Sequence, residues 1–380
     1  MAEELRLGIG GPFHRVERAA RLEPLHRQLV VATGVAWAPL IVLAAIESLV
    51  GRNEPLLRDL SIHARLLIAL PLFLVAERVL DHSCRVTVAR LFEEGFIGDA
   101  QRPRMLAILR AVERWRDSRW PETVLLAGAV VAGIGALSGW TAPAGVIHGV
   151  SQSRYSVVRV WYALVSLPLS QFIFGRVLFR WGLWIRVLCG LARVPLRLVP
   201  WHADRRGGIG FLKIPSFSYC AIVLFAVSST LCAGWSTKIL HEGATIEMFR
   251  PLFYAFVLFG AVLAFAPLLA FVPQLIGARL RGRREFGALV TAYGRAFGER
   301  WLGGDRPGLL GTPDIQSLSD LSSSYRENVD GMMPFLFTAR DAVALFVASQ
   351  LPAIPLLLTQ LPAREVLSRI LRLVSGGIPG

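Results

Sequence analysis

Long apolar blocks separated by arginine-rich connections are the dominant feature of this sequence. Each block holds about 20 residues, and a helix of that length, at ~1.5 Å per residue, matches the ~30 Å hydrocarbon core of a bilayer. The sequence therefore predicts an all-α polytopic helical membrane protein with about seven transmembrane helices and a helical cytoplasmic layer. The predicted spans lie at about 28–50, 62–80, 122–141, 157–179, 215–235, 251–276 and 341–361.

Composition agrees with a membrane protein and argues against other classes. Hydrophobic residues make up 54% of the chain and charged residues only 18%, a balance unlike that of soluble domains. The net charge of +14 alone would suit a nucleic-acid binder. The basic residues cluster beside the apolar blocks, so the expected partners are the lipid bilayer and anionic lipid headgroups, and no nucleic acid. The four cysteines form no C-x-x-C pair, so we expect no disulfide framework, no metal site and no cofactor.

Basic residues alternate in number from one connection to the next. Five arginines lie in the tail 1–27, and eight, seven and nine basic residues lie in the connections 81–121, 180–214 and 277–340. The other connections, at 51–61, 142–156 and 236–250, hold two, one and two. The positive-inside rule then places the N-terminus in the cytoplasm. The first block is too long for a signal-peptide core, so we expect a multi-pass protein of the bacterial inner membrane.

The same pattern divides the chain into alternating membrane and cytoplasmic parts. The last apolar block contains Pro352 and Pro355, so a re-entrant helix is an open alternative to a seventh span. The second and fourth spans are predicted to continue as helices into the cytoplasm, because apolar residues recur there at helical spacing. The predicted parts are 1–27 (tail), 28–80 (transmembrane hairpin), 81–121 (cytoplasmic helical hairpin), 122–179 (hairpin), 180–214 (cytoplasmic connection), 215–276 (hairpin), 277–340 (cytoplasmic helical segment), 341–361 (last span or re-entrant helix) and 362–380 (amphipathic tail).

A glycine-rich loop at 201–212 is the most distinctive short segment. Its glycines could let backbone N–H groups approach an anion, its arginines add positive charge, and its His and Asp could bind a metal or relay a proton. The alternative is a tight loop whose arginines meet lipid phosphates. The candidate residues are His202, Asp204, Arg205, Arg206, Gly207, Gly208 and Gly210.

The pattern H-x-D-x-x-G-G-x-G-F-L in this loop, followed by an apolar block, resembles a family of uncharacterised bacterial multi-pass membrane proteins. The stretch 315–321, before the last block, is similar to that family too. The resemblance extends over most of the chain. It implies the membrane architecture, and it implies no catalytic residue and no activity.

Charged residues near the span ends are candidates for ion pairs. The short connection 51–61 makes the first two spans antiparallel neighbours, with Glu47 and Arg65 both near their outer ends. We predict an ion pair or shared polar contact there, the alternative being two charges that never meet. At the inner end, Arg27 could reach Glu77 for the same reason.

Polar residues without charge lie near the middle of three spans. No acid or base accompanies them at mid-depth, which argues against proton- or sodium-coupled transport. They could line a route for a weakly polar solute, or they could form hydrogen bonds between helices. The candidates are Ser166, Ser170 and Gln171 in the fourth span, Ser228, Ser229 and Thr230 in the fifth, and Ser349 and Gln350 in the last.

Three functions follow from these patterns. The leading hypothesis is a membrane protein that moves or gates a small solute or ion, with no enzymatic activity, since no hydrolase or metalloprotease motif is found. The second is a scaffold or signalling subunit that binds a protein partner through the polar helix 313–330 and the aromatic stretch 115–120. The third is a membrane enzyme that uses the 201–212 loop on a phosphate-bearing substrate. Homo-oligomerisation is left open.

Overall fold

The computed structural model describes residues 10–50, 59–138, 156–303 and 313–358. Every regular element in these ranges is a helix, and six of the helices are long and apolar enough to cross a membrane. The predicted all-α polytopic class is therefore confirmed. The main helices are α1 (Pro12–Ala19), α2 (Leu25–Leu49), α3 (Leu60–Glu93), α4 (Arg102–Asp117), α5 (Arg119–Ser138), α6 (Val157–Leu191), α7 (Lys213–Glu242), α8 (Ile246–Phe265), α9 (Val272–Leu302), α10 (Asp314–Ser324), α11 (Ala339–Gln350) and α12 (Ile354–Leu358).

Helices α3 and α6 are much longer than a bilayer requires. They contain 34 and 35 residues, about 50 Å at ~1.5 Å per residue, whereas the hydrocarbon core is ~30 Å thick. The predicted helical extensions of the second and fourth spans are confirmed. Helix α4 packs against the extension of α6, with its side chains Met105, Leu109 and Val112 buried.

A π-helical turn interrupts both long helices directly before a proline. The turn Ala64–Ala69 precedes Pro71 in α3, and the turn Tyr162–Ser166 precedes Pro168 in α6. Proline has no N–H and its ring clashes with the carbonyl four residues earlier. A widened turn at this point lets the helix continue past the proline without a break.

Helices α6 and α7 contribute several of the largest fully buried side chains of the core, among them Trp181, Trp184 and Tyr219. Trp181 of α6 stacks on Tyr219 of α7, with ring centroids 5.0 Å apart, and the Tyr219 hydroxyl donates to the Val177 carbonyl at 2.6 Å. Helix α7 also packs against α3, α8 and α11. Large apolar residues such as Val131 and Phe259 stay exposed on the outer faces of the spans, as expected for surfaces that meet lipid.

The third span approaches the fourth at Gly133. A Cβ atom at this position would lie 2.2 Å from the carbonyl oxygen of Ala163, so only glycine allows the two backbones to come this close. Gly135 and Gly139 of the same segment form a G-x-x-x-G pattern, which is typical of close helix packing. Gly139 lies outside the residues that the structure describes.

The helix of the last apolar block is interrupted within its described residues. A 3-10 turn, Leu351–Ala353, separates α11 from α12, and Pro352 and Pro355 account for the interruption. The block is not among the six candidate spans within the described residues. The predicted amphipathic tail at 362–380 lies outside the described residues.

Candidate functional site

A buried arginine in α6 is the centre of the most unusual site in the molecule. Arg176 is 2% exposed, and it donates two hydrogen bonds to Glu77 of α3, from Nε to Oε1 at 2.7 Å and from Nη2 to Oε2 at 2.5 Å. Such a bidentate pair is both strong and geometrically specific. It joins the second and fourth spans near the ends that carry the long basic connections.

The N-terminal helix α1 supplies a second carboxylate to the same arginine. Arg176 Nη1 donates to Glu17 Oε1 at 3.1 Å. The Phe13 ring lies 4.7 Å from the guanidinium and 4.9 Å from the ring of Phe172. Glu17 and Phe13 lie one turn apart, so one face of α1 presents an anion and an aromatic ring to Arg176.

The start of α1 is fixed by a carboxylate from the third span. Glu122 Oε2 accepts a hydrogen bond from the Phe13 backbone N–H at 2.8 Å. Free N–H groups at a helix N-terminus attract negative charge, so this contact satisfies the first turn of α1. Two spans, α5 and α6, therefore hold α1 through charged groups.

Further charges surround this arrangement. Arg180, one turn after Arg176, places its Nε 3.4 Å from Glu77 Oε1, and Asp81 is buried one turn after Glu77. Burying charges is costly unless they are paired, and intramembrane charges generally mark functional sites. We name this group the buried charge cluster; it contains Glu17, Glu77, Asp81, Glu122, Arg176 and Arg180.

The predicted contact between Arg27 and Glu77 is replaced by other contacts. Arg27 Nη1 donates to the Arg21 carbonyl at 3.3 Å, and Glu77 faces Arg176. The residue of α3 that reaches the start of α2 is Arg78, which donates to Gln28 Oε1 at 3.2 Å. Adjacent helical residues point about 100° apart, which turns Arg78 towards α2 and Glu77 towards α6.

At the opposite end of the bundle, Glu47 and Arg65 do not pair with each other. Glu47 accepts from the Ser156 hydroxyl at 2.9 Å and from the Val157 N–H at 2.8 Å, both at the start of α6. Arg65 donates to the Tyr162 hydroxyl at 2.7 Å. The unsatisfied N–H groups at the start of α6 offer Glu47 a fixed set of donors, and both charges are therefore directed towards the fourth span.

Most hydroxyls in the middle of the spans bond within their own helices. Ser170, Ser229 and Thr230 donate to carbonyls three or four residues earlier, at 2.9, 2.8 and 3.3 Å, as Ser349 does at 2.7 Å. Such back-bonding is the usual way for a helix to satisfy a hydroxyl in an apolar setting. These four hydrogen bonds therefore do not join one helix to another.

The remaining mid-span candidates behave differently. The Ser166 hydroxyl donates to the Ala36 carbonyl at 2.7 Å, which joins the fourth span to the first. Ser228 lies 3.8 Å from the Cys232 sulfur. The Gln350 amide nitrogen is buried without a hydrogen-bond partner, and Gln171 is half-buried.

In the 201–212 loop, the backbone donors surround the loop's own carboxylate. Asp204 Oδ1 accepts from the N–H groups of Arg206 and Gly208 at 2.8 and 3.0 Å, and Oδ2 accepts from the Gly210 N–H at 3.0 Å. Burial raises the pKa of Asp204, but these three N–H groups and His202 outweigh it and leave the pKa below its ordinary value. The donors expected to meet an external anion are therefore already occupied.

The rest of the loop is held by unusual backbone angles and by a neighbouring segment. Arg205, Gly207 and Gly208 have positive φ angles of 56°, 66° and 92°. The Met333 N–H donates to the Arg205 carbonyl at 2.8 Å, and Arg206 Nε donates to the Phe335 carbonyl at 3.2 Å. These contacts agree with the tight-loop alternative. Among the described residues, no group of three His, Cys, Asp or Glu side chains could hold a metal ion.

Sequence reasoning missed the buried charge cluster as a unit. Arg176 lies inside the predicted fourth span, and an arginine within a span is itself a signal for a functional group. The role of Glu17 could not be predicted, because nothing in the sequence of the N-terminal tail indicates that this tail folds back onto the bundle.

Comparisons were made with protein-family models, curated proteins and solved structures. None of them matches this chain. The resemblance based on the 201–212 loop stays a prediction, and the function has to be argued from the site.

Proposed function

We propose that this protein controls the passage of a small ion or solute across the membrane, with α1 closing the route at its basic end. The observation that carries the proposal is the ion pair between Glu17 of α1 and the buried Arg176. A charged group this deeply buried between spans is the usual mark of an ion pathway or a gate. Helix α1 covers it from the N-terminal tail.

The cluster gives α1 two distinct states. With α1 in place, Arg176 meets two carboxylates and an aromatic ring. When α1 leaves, Arg176 keeps Glu77, and Glu122 loses the Phe13 N–H. Water or a passing ion would then solvate the uncovered charges, because unpaired charges are unstable in an apolar setting. Departure of α1 therefore opens a polar path into the bundle.

The length of α1 favours a reversible gate. It has eight residues, and isolated helices shorter than about 12–15 residues are marginal in water. Docking and folding of α1 are therefore coupled, and small changes in its contacts shift the balance between closed and open states.

The test is a flux measurement on the full chain in proteoliposomes. Efflux of potassium, protons and glycerol is compared between the wild type and Glu17→Gln. Loss of a hydrogen bond to a charged group weakens the docking of α1 by about 1.5–3 kcal/mol. We therefore expect the flux of at least one probe through Glu17→Gln to be roughly ten- to a hundredfold higher than through the wild type.

Glu23→Gln is the matched control. Glu23 lies a few residues further along, pairs with Arg18 at 2.9 Å and is exposed, so its substitution should leave flux unchanged. Equal flux in wild type, Glu17→Gln and empty liposomes would overturn the proposal.

Orientation is part of the same proposal. We infer that the N-terminus and α1 lie in the cytoplasm of a bacterial cell, because the connections on that side carry most of the basic residues. A reporter that is active only in the cytoplasm, fused before Met1, should be active. Activity of a periplasmic reporter at that position would reverse the orientation.

A second candidate function is binding of a protein partner, and the geometry of α10 favours it. This helix has no buried residue, yet it is fixed to α9. Trp301 Nε1 donates to Asp314 Oδ2 at 3.1 Å. The ring of Tyr325, the residue directly after α10, stacks on Phe286 of α9 with ring centroids 6.0 Å apart. A largely exposed helix that is already anchored suits recognition, since little conformational freedom is lost on binding.

A photo-crosslinking residue tests this second candidate. Placed at Ser319 of α10, it should capture a defined protein in cells, whereas the same residue at Glu285 of α9 serves as the control. Absence of any crosslink specific to Ser319 would argue against a partner on α10.

A further inference from the structure

A groove lies where α4, α5 and α6 meet, close to the basic end of the bundle. Its volume is about 490 Å³, and its lining includes Arg114, Trp115, Ser118, Trp120 and Arg186. Pockets for small ligands have volumes of about 300–1,000 Å³, so the groove is large enough for a headgroup. It is separate from the buried charge cluster and independent of the gate proposed above.

The arginines of the groove lack carboxylate partners among the residues that the structure describes. The nearby acids, Glu113 and Asp117, both face Arg116, at 3.9 and 2.9 Å. The groove itself is lined by two arginines and no acid. An unbalanced pair of guanidinium groups attracts an anion, and phosphate oxygens suit their planar donors best.

A third arginine lies on the same face of α4. Arg110 lies one helical turn before Arg114, and both line an adjoining depression together with Glu113 and Asp117, the two acids that face Arg116. Like charges at this spacing repel each other and destabilise a helix. A bound anion would remove that repulsion.

The two tryptophans show from which side the anion comes. Trp115 and Trp120 are 52% and 78% exposed, and Trp120 is the second residue of α5, where the third span begins. Tryptophan is enriched at the boundary between headgroups and hydrocarbon. The Arg186 guanidinium lies 5.3 Å from the centre of the Trp115 ring, which holds a positive charge beside this ring.

We propose that this groove binds the headgroup of an anionic phospholipid from the leaflet on the basic side of the membrane. Arg114 and Arg186 bind the phosphodiester. Trp115 and Trp120 pack against the glycerol backbone and the first carbons of the acyl chains. The exposed tryptophans beside a span favour a lipid over a soluble phosphate, because a soluble anion would leave both rings uncovered.

Native mass spectrometry of the full chain with phosphatidylglycerol tests the proposal. The double variant Arg114→Gln/Arg186→Gln should retain this lipid about thirtyfold less well than the wild type, the loss expected for two arginines beside a lipid surface. Both residues are exposed, so the variant should fold, and its thermal unfolding in detergent checks this.

Arg281→Gln/Arg284→Gln is the matched control. It removes the same charge from exposed positions of α9 and should retain phosphatidylglycerol as the wild type does. Equal losses in the two double variants, or no loss in either, would overturn the proposal.

Two further measurements distinguish a lipid headgroup from other sources of the anion. Soluble glycerol phosphate should displace phosphatidylglycerol poorly, and displacement at equal concentration would convert the groove into a site for soluble phosphates. A copurifying protein that is lost in the groove variant, with lipid retention unchanged, would instead assign the groove to a protein partner.

Discussion

Arg176 and Glu77 form a bidentate ion pair between two membrane-spanning helices, with the Nε–Oε1 and Nη2–Oε2 distances at 2.7 and 2.5 Å. Both side chains are almost completely buried, at 2% and 7% exposure. The pair joins helices that are neighbours in space and 99 positions apart in sequence. It is also the point where the N-terminal helix attaches through Glu17.

Removal of one partner from this pair should destabilise the protein strongly. Glu77→Gln leaves a buried guanidinium without its main counter-charge, which typically costs about 3–5 kcal/mol. The double variant Glu77→Leu/Arg176→Met replaces both charges with apolar groups and should lose less than the sum of the two single variants. Unfolding in micelles, followed by tryptophan fluorescence, measures these losses, and strictly additive losses would contradict the coupling.

Gly133 should be intolerant of even a methyl group. In Gly133→Ala the new Cβ would meet the Ala163 carbonyl oxygen at 2.2 Å, so the third and fourth spans must separate, at an expected cost of about 1–3 kcal/mol.

Gly128 is the control for this substitution, because a Cβ there meets nothing within 4 Å. Gly128→Ala should be neutral or stabilising by up to ~1 kcal/mol, since alanine favours helices. The same unfolding experiment compares the two, and a stable Gly133→Ala variant would show that the spans are not closely packed.

Acid should loosen the 201–212 loop. The pKa of Asp204 is lowered in the folded protein. The carboxylate therefore contributes fully to the stability of the loop above the ordinary carboxyl pKa of ~3.9, and this stabilisation is lost as the pH falls through the lowered pKa. Hydrogen-exchange protection of the Arg206, Gly208 and Gly210 amides, corrected for the intrinsic pH dependence, should fall over that interval.

Asp204→Asn serves as the reference for this experiment. It carries no titrating carboxylate, so its protection should be lower than that of the wild type at neutral pH and should vary little with acid. A pH dependence that persists in Asp204→Asn would assign the effect to another group.

Two glycines with positive φ angles should differ in their tolerance of alanine. Gly208 has a φ of 92°, and a Cβ there would lie 2.5 Å from the Phe96 ring; Gly95 has a φ of 72° and open space around it. Gly95→Ala should cost only the left-handed backbone penalty of about 1–2 kcal/mol. Gly208→Ala should cost more, measured by thermal unfolding, and equal losses would argue against the contact with Phe96.

Local sequence determined the membrane helices. Each of the first six predicted spans overlaps, over most of its length, a helix that is long and apolar enough to cross a membrane, because a span requires only a continuous apolar stretch of about 20 residues. The helical extensions of α3 and α6 beyond the apolar stretches could be predicted for a similar reason, since helical periodicity is a local property of the sequence. The contacts of Asp204 are local too, because its acceptor oxygens bond amides two, four and six residues ahead.

The partners of the charged residues could be decided only by the tertiary structure. Glu77, Arg27, Glu47 and Arg65 were recognised from the sequence as candidates for pairing, yet their predicted pairings are not the ones formed. A pairing depends on how each helix is rotated about its axis and on which helices are neighbours, and a rotation of about 100° separates adjacent residues. The attachment of Glu17 to Arg176 spans 159 positions. It exists because Arg176, once buried between spans, requires counter-charge that only the folded chain brings to it.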